Sequence, residues 1–362
     1  IGGNIGRNTA PYLIASYYDS SLVDGMAGSV NTPPNKDIRW EKTTTVNVGV
    51  DFALFRHRLS GTIEYYNKYS VDLLAAINGS PTQGFGYTTL MTNNGKMVNR
   101  GVEITLSGEI IRQKDFSWNA SLLYAFNRNK VKHISVQPSL WDSRISMPTS
   151  YPMVGKPLYG IYAYKWAGLN ENGDPQVYDA ENNVTSGPAR DYHALVYCGT
   201  TVPIHNASLT NVLRYKGFEF SAMLILDAGH KLRSSNIPSI NMSNGRITST
   251  AKGIVDRWTQ PGDVTDVPRL LFSNDTENFN THRTELYRYS DLFVYDASNI
   301  RLSNISLAYR VPAHWCKKIS LSGARLQFNV ENVATFAFDS KANYDLGGKV
   351  KPNYVWGLYL NF

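Results

Sequence analysis

Seven histidines (His57, His133, His193, His205, His230, His282 and His314) are the side chains of this 362-residue sequence best suited to acid–base work or metal binding. They stand apart, with no HExxH or comparable ligand spacing, so each reads as a loop or turn residue. Glu103 and Glu109 are two carboxylates near each other that could work as an acid–base pair. Polar residues at strand spacing account for them more simply. Asn170-Glu171-Asn172-Gly173-Asp174 is oxygen-rich like a calcium loop, but it lacks the downstream bidentate Glu of an EF-hand and reads as a turn. Cys198 and Cys316 are too few for a disulfide framework and have no CxxC spacing. They form one long-range disulfide or, in the favoured reading, stay as two free thiols. No nucleophile, metal cluster or phosphate loop stands out, so neither catalysis nor a cofactor is expected.

What remains is binding without chemistry. Tyr87, Tyr162, Tyr164 and Trp166 lie in long connecting segments, where their rings could stack on sugars or pack loop against loop; Asn119 and Asn211 offer amides from strands. Charged residues make up only 18% and aromatic residues 12%, with 23 Tyr and 28 Gly, a bias toward strands and turns when an average soluble domain has about 25% charged residues. The formal charge of +7 comes from scattered basic residues, which gives no footprint for nucleic acid. Nothing approaches the roughly 18 to 20 consecutive apolar residues of a membrane-spanning helix, and mean hydropathy is −0.30. Strands that alternate remain free to cross a membrane. The chain opens at Ile1 without an initiator Met or a signal-peptide pattern, as a mature product or a piece of a longer chain would.

The elements that must position these groups are strands, because the dominant signal is alternation with period two. Val46, Val48, Val50, Phe52 and Leu54 oppose Thr45, Asn47 and Asp51, and after a turn at 56–58 the chain returns with Leu59, Ile63 and Tyr65. Val102, Ile104, Leu106 and Ile110 oppose Glu103, Thr105, Ser107 and Glu109, and residues 116–127 alternate after a turn at 112–115. A third hairpin turns at Lys216 and Gly217, and a fourth is expected at Pro312, with bulges near Ser303 and Gly323. The predicted lipid-facing set includes Val46, Val48, Val50, Val102, Leu106, Leu122, Phe220, Leu224, Leu307, Leu358 and Leu360, while Asn119 and Asn211 are predicted as lumen amides.

Between the hairpins lie long connections at 71–98, about 131–205, about 230–296 and about 333–350, rich in Gly, Pro, Asn and Tyr. Compact soluble domains rarely carry loops beyond about 12 to 15 residues. Short turns alternating with long loops are instead the habit of outer-membrane barrels. Parity then demands that the apolar run 159–166 stay outside the membrane, paired with 176–178. That leaves about ten crossings, with 12–18 as the first and spans near the 9 to 11 residues a tilted strand needs. At the end, Tyr354, Trp356, Leu358, Leu360 and the terminal Phe362 share one face, which resembles the signal by which such barrels are recognised for insertion. The alternative is a soluble carbohydrate-binding β-sandwich, which also alternates and turns.

Particular motifs sharpen this. Residues 38–74, with Trp40-Glu41-Lys42 and Tyr65-Tyr66-Asn67-Lys68, resemble a segment of the SusC/RagA family of TonB-linked outer-membrane transporters. So do Asn93-x-Gly95-x-Met97-x-Asn99-Arg100-Gly101-Val102-Glu103, Arg257-Trp258 through Pro261-Gly262-Asp263, residues 215–221, and 299–336 with Glu331-Asn332. The matches follow family order along nearly the whole chain. The resemblance implies that 1–362 is the C-terminal portion of a 22-stranded antiparallel transmembrane β-barrel, all-β, with the plug domain and TonB-contacting segment lying elsewhere. It also implies a SusD-like surface lipoprotein as lid, TonB as periplasmic partner, outer-membrane lipid around the wall, pairing of two such units, and import of glycans or peptides. The family's commoner use favours glycans.

Overall fold

The computed structural model describes residues 2–4, 14–19, 25–32, 35–78, 89–136, 143–187, 192–242, 251–272, 281–318, 320–347 and 351–362. Ten strands rich in β-branched and aromatic residues form one antiparallel sheet in plain sequence order. They are β1 (Gly2–Asn4), β2 (Glu41–Leu54), β3 (Leu59–Asn78), β4 (Thr89–Arg112), β5 (Phe116–His133), β6 (His205–Tyr215), β7 (Phe218–Ala228), β8 (Asn299–Arg310), β9 (Gly323–Ala337) and β10 (Asn353–Asn361). Adjacent strands in a simple meander need only short returns, and one end of the sheet is made of them. Residues 55–58, 113–115 and Lys216-Gly217 turn there, the first and third through left-handed residues, with φ 58° at Arg56 and 52° at Lys216. The expected tight turn at Pro312 is longer: Pro312 ends β8 and a short helix, Ala313–Lys317, buries Cys316 before β9 begins.

Ten strands were expected, but the first is misplaced in the sequence reading. Of the expected first strand at 12–18, only 14–18 lies among the described residues, and it does not join the sheet; Ile14–Asp19 pairs with Met26–Thr32 in a separate hairpin, while β1 pairs with β2 through Gly2 to Thr43 and Asn4 to Glu41. The reason is that Tyr17 and Tyr18, pointing to opposite faces, are both exposed, so that segment offers no single apolar side. Strands β3, β4 and β5, at 20, 24 and 18 residues, also exceed the expected spans and absorb much of the supposed loop 71–98.

A bulge hides that extension from pattern reading. The β3–β4 register slips between Ser70 and Leu74, and Asp72 takes φ 56°. The family-like motifs repair the backbone there: Glu41 accepts from Leu74 N at 2.9 Å, and the Asn93 amide donates to the carbonyls of Arg39 and Asp72 at 2.7 Å each. Ser303 is bulged as expected, whereas Gly323 simply opens β9 opposite Asn361.

The other end of the sheet carries a cap. Gly160–Tyr164 pairs with Leu195–Thr200, Trp166–Leu169 with Pro175–Tyr178, Lys231–Arg233 with Val294–Asp296, and helix α1 (Thr281–Arg288) packs among them. The apolar run 159–166 therefore stays outside the sheet as expected, although only its Trp166 end meets 176–178. The buried core sits here: Tyr162, Tyr164, Val177 and Leu286 form one cluster, and Ile240, Tyr287 and Phe293 a second.

Candidate functional site

The register sorts the sheet into two unlike faces. Phe52, Gly61, Leu106, Leu122, Leu209 and Leu224 form one cross-strand row, and Val50, Ile63, Ile104, Tyr124, Ala207 and Leu226 the next. This face is apolar and nonetheless open to its surroundings, with Val48, Val50 and Leu358 each 62% exposed. Such a continuous apolar surface marks a partner of low polarity. Aromatic residues line its turn end, where Phe218 packs at a tilt against Tyr309 with centroids 4.5 Å apart and Phe328 against Trp356 at 4.3 Å.

The opposite face is wet and internally hydrogen-bonded. Ser107 meets Ser121 at 2.9 Å, Thr62 donates to Asp51 at 2.6 Å, Asn206 donates to Asp227 at 2.7 Å, and Gln327 reaches Ser306 and Asn329. Glu219 is clasped by Arg214 at 2.7 Å and Arg325 at 3.1 Å. These are amides, hydroxyls and paired charges suited to lining a polar passage. Glu103 and Glu109 belong to this face, not to an acid–base pair in a cleft.

Asn119 lies on the wet face, registered with Glu109 and Val212. Asn211 does not: it shares the apolar row with Ala120 and Ala222, and its amide oxygen accepts from Trp118 Nε1 at 3.1 Å. The lumen assignment of Asn211 is corrected on that ground. Tyr354, Trp356, Leu358, Leu360 and Phe362 lie at or just beyond the edge strand β10, all exposed, with Leu358 opposite Leu326 and Leu360 opposite Ala324.

The cap decides what the loop aromatics do. Tyr162 and Tyr164 are 1% and 0% exposed, so they pack loop against loop and present no ring to a ligand. Trp166 packs against Tyr287 with the rings tilted by 55° and donates its indole N–H to Asp266 at 3.0 Å. Tyr87 lies outside the described residues.

A residue that sequence reasoning read only as part of a turn organises the cap. Asp174 accepts from Arg269 at 2.7 Å and from Arg283 at 3.1 Å, and Arg283 also donates to the carbonyls of Ile240 and Arg269. Burial pulls the Arg283 pKa down while Asp174 opposes the shift. The calcium-like turn is thus closed by cations. Its partners stand 95 and 109 positions away, beyond any local signal. The 257–263 motif seats the same junction: Asp263 accepts from the backbone N–H groups of Thr259 and Gln260, which hold its carboxyl low, and Trp258 lies against Gly173, where φ is 73° and an added Cβ would come within 2.4 Å of the indole.

At the joint of cap and sheet, burial disfavours ionisation of Asp296, but hydrogen bonds from Ser298 and Lys231 prevail and hold its pKa at about 2. Both thiols are free, Cys198 in the cap and Cys316 beside the turn end, and burial pushes Cys198 up to about 11. Among the described residues no His, Cys, Asp and Glu gather as a metal site.

The profile of the family described as TonB dependent receptor-like, beta-barrel matches residues 3–333. The chain belongs to that family. Among TonB-dependent receptors it is 25% identical over 346 residues to receptor P3 of Formosa agariphila, covering 90% of this chain and 33% of the relative. It is 25% identical over 312 residues to SusC of Bacteroides thetaiotaomicron, covering 82% and 29%. The chain thus spans about a third of the curated relatives it matches. The structure of the RagAB peptide transporter superposes with a TM-score of 0.74 at 23% identity, over 99% of this chain and 40% of that one, which fixes the fold. In these TonB-dependent receptor terms the sheet is a partial barrel wall that, among the described residues, is open at β1 and β10.

Proposed function

We propose that this chain forms part of the wall and mouth of an outer-membrane importer that moves large polar nutrients, glycan or peptide fragments, without changing them chemically. The observation that carries the reading is the division of one sheet into an exposed apolar face and a hydrogen-bonded polar face, beneath a cap with its own core. An apolar outside and a polar inside are what a barrel needs in lipid. On this reading Asn119 and its neighbours line the passage, and Tyr87 remains a candidate cargo contact.

A SusD-like lipoprotein would close over the cap, where Val264 at the tip of the 257–268 loop is fully exposed, and two such units would pair. TonB would act through a part of the protein outside this chain. The soluble sugar-binding alternative has no use for an apolar face of this extent.

The test joins fractionation with growth. The protein should partition with outer membranes, and a strain lacking it should fail on one class of large substrate, defined glycans or defined peptides, while growing normally on the monomers. Recovery in the soluble fraction, or normal growth on every large substrate, sinks the proposal. Loss on peptides alone would overturn the family-based preference for glycans.

A further inference from the structure

The apolar face stops short of the cap. Along β5 its row runs Trp118, Ala120, Leu122, Tyr124 and Phe126, and then changes to Arg128 and Lys130. Arg100 stands directly across from Arg128 on β4, and no register slip intervenes between these rows and Leu106–Leu122. The cations therefore point to the same side as the apolar row, away from the polar passage. Arg128 is ten positions beyond Trp118. At about 3.3 Å per residue and a tilt near 40°, that is a height of about 25 Å, the thickness of the apolar band of a membrane barrel. With Trp118 at one interface, Arg128 and Lys130 reach the other.

A formed pocket of about 460 Å³ opens at this level, lined by Phe126, Arg128, Lys130, Lys156, Tyr197 and His205 among others. Its walls are tied to β5 by backbone. Gly155 N donates to Val131 O, and Val131 N to Lys156 O, both at 2.9 Å; on the far side Asn127 N donates to Ile204 O at 2.9 Å. Leu158 N adds a bond to the Asn129 side chain at 2.7 Å. The Lys156 ammonium rests 4.7 Å over the Tyr197 ring, and His205 Nδ1 is engaged by the Tyr124 hydroxyl at 2.9 Å. Among the described residues none of Arg100, Arg128, Lys130 and Lys156 forms an ion pair, although ten ion pairs occur elsewhere in the chain. Converging cations in a preformed pocket, without a carboxylate, call for an external anion. Asn127 and Asn129 of the polar face line the pocket as well, but its β5 cations, Arg128 and Lys130, stand on the outward row at the edge of the apolar band, and on that ground the anion is assigned to the membrane rather than to the cargo.

We propose that this pocket binds a phosphate-bearing anionic lipid headgroup of the outer leaflet, with Arg128, Lys130 and Lys156 as its cations and Phe126 against the upper acyl chain. The inference rests on the outer-membrane reading. Basic pockets at this depth are a physically expected headgroup site.

The test uses the intact protein in nanodiscs of zwitterionic phospholipid doped with bisphosphorylated lipid A, dephosphorylated lipid A or neither, with retained lipid read by native mass spectrometry. The phosphorylated lipid should be retained, the dephosphorylated one far less, and retention should fall with salt. Each cation near a charged surface is worth about fivefold. The triple variant Arg128→Gln/Lys130→Gln/Lys156→Gln should then bind about a hundredfold more weakly. Lys114→Gln/Lys216→Gln, at the turn end, should bind as the parent does. Should the triple variant fail to fold, Lys156→Gln alone, outside the strands, should cost about fivefold. Retention indifferent to lipid phosphate or to Lys156→Gln overturns the inference, as does inorganic phosphate binding as tightly as the lipid. Failure to enter nanodiscs at all overturns the membrane reading instead.

Discussion

Leu106 and Ser107 are adjacent in sequence and face opposite solvents. Leu106 lies in the row that runs from Phe52 to Leu224, while Ser107 shares a hydrogen bond with Ser121 on the polar face. In lipid, Leu106→Arg should cost about 2 to 4 kcal/mol, the penalty for a cation near mid-bilayer. Ser107→Arg should be mild, because its side chain stays in a watery lumen. Equal folding free energies for the two variants in a bilayer refolding titration would remove the facing assignment. Parity made this contrast legible from sequence. Asn211 was equally legible by position, since it keeps step with Leu209 and Leu213, yet its chemistry suggested the lumen. Position prevailed because the Trp118 indole satisfies the amide locally. Gly101 shows a different kind of legibility: it stands out in its motif, but only the structure gives the reason, which is that an added Cβ would lie 2.4 Å from the Tyr66 ring and 2.5 Å from the Phe126 carbonyl.

At the scale of elements, hairpins with clean alternation and short turns could be read directly, since both strands and their return are encoded within about thirty residues of one another. The upper parts of β3 and β4 could not, because the bulge at Asp72 breaks the phase that identifies a strand. The cap was less legible still. Its strands are two to six residues long, and its partners meet across a hundred positions. Burial of Tyr162 and Tyr164 follows from that assembly and from nothing nearby in sequence. Asp174→Asn should therefore act on the cap as a unit. It removes the carboxylate that faces Arg283, a guanidinium only 3% exposed, and breaking such a pair costs about 3 kcal/mol or more. The sheet holds none of these contacts. Protease cleavage within 170–174 and 257–269 should accelerate in Asp174→Asn while the heat-modifiable mobility of the barrel is retained. Unchanged cleavage would show that the remaining hydrogen bonds of Arg283 suffice, and loss of the whole fold would show that cap and sheet are not separable.

At the scale of the molecule, the decisive feature is that the ten-stranded sheet has two edges. Among the described residues β1 bonds only to β2, through three residues, and β10 bonds only to β9. An unpaired strand edge leaves N–H and C=O groups without partners, which water tolerates and hydrocarbon does not. The exposed apolar face brings these edges into hydrocarbon along with it, so the wall needs further strands to join β10 to β1. The relatives, about three times as long, have chain to spare for such strands. Residues 1–362 produced alone and refolded in detergent should accordingly give aggregates held by edge pairing, without a species whose electrophoretic mobility changes on boiling. Supplying the remainder of the barrel, in the same chain or in trans, should restore that species. A discrete, heat-modifiable monomer from residues 1–362 alone would mean that β1 and β10 meet directly and that the wall is a small closed barrel. In that case the open-wall architecture, and with it the large passage that the proposed cargo requires, would have to be abandoned.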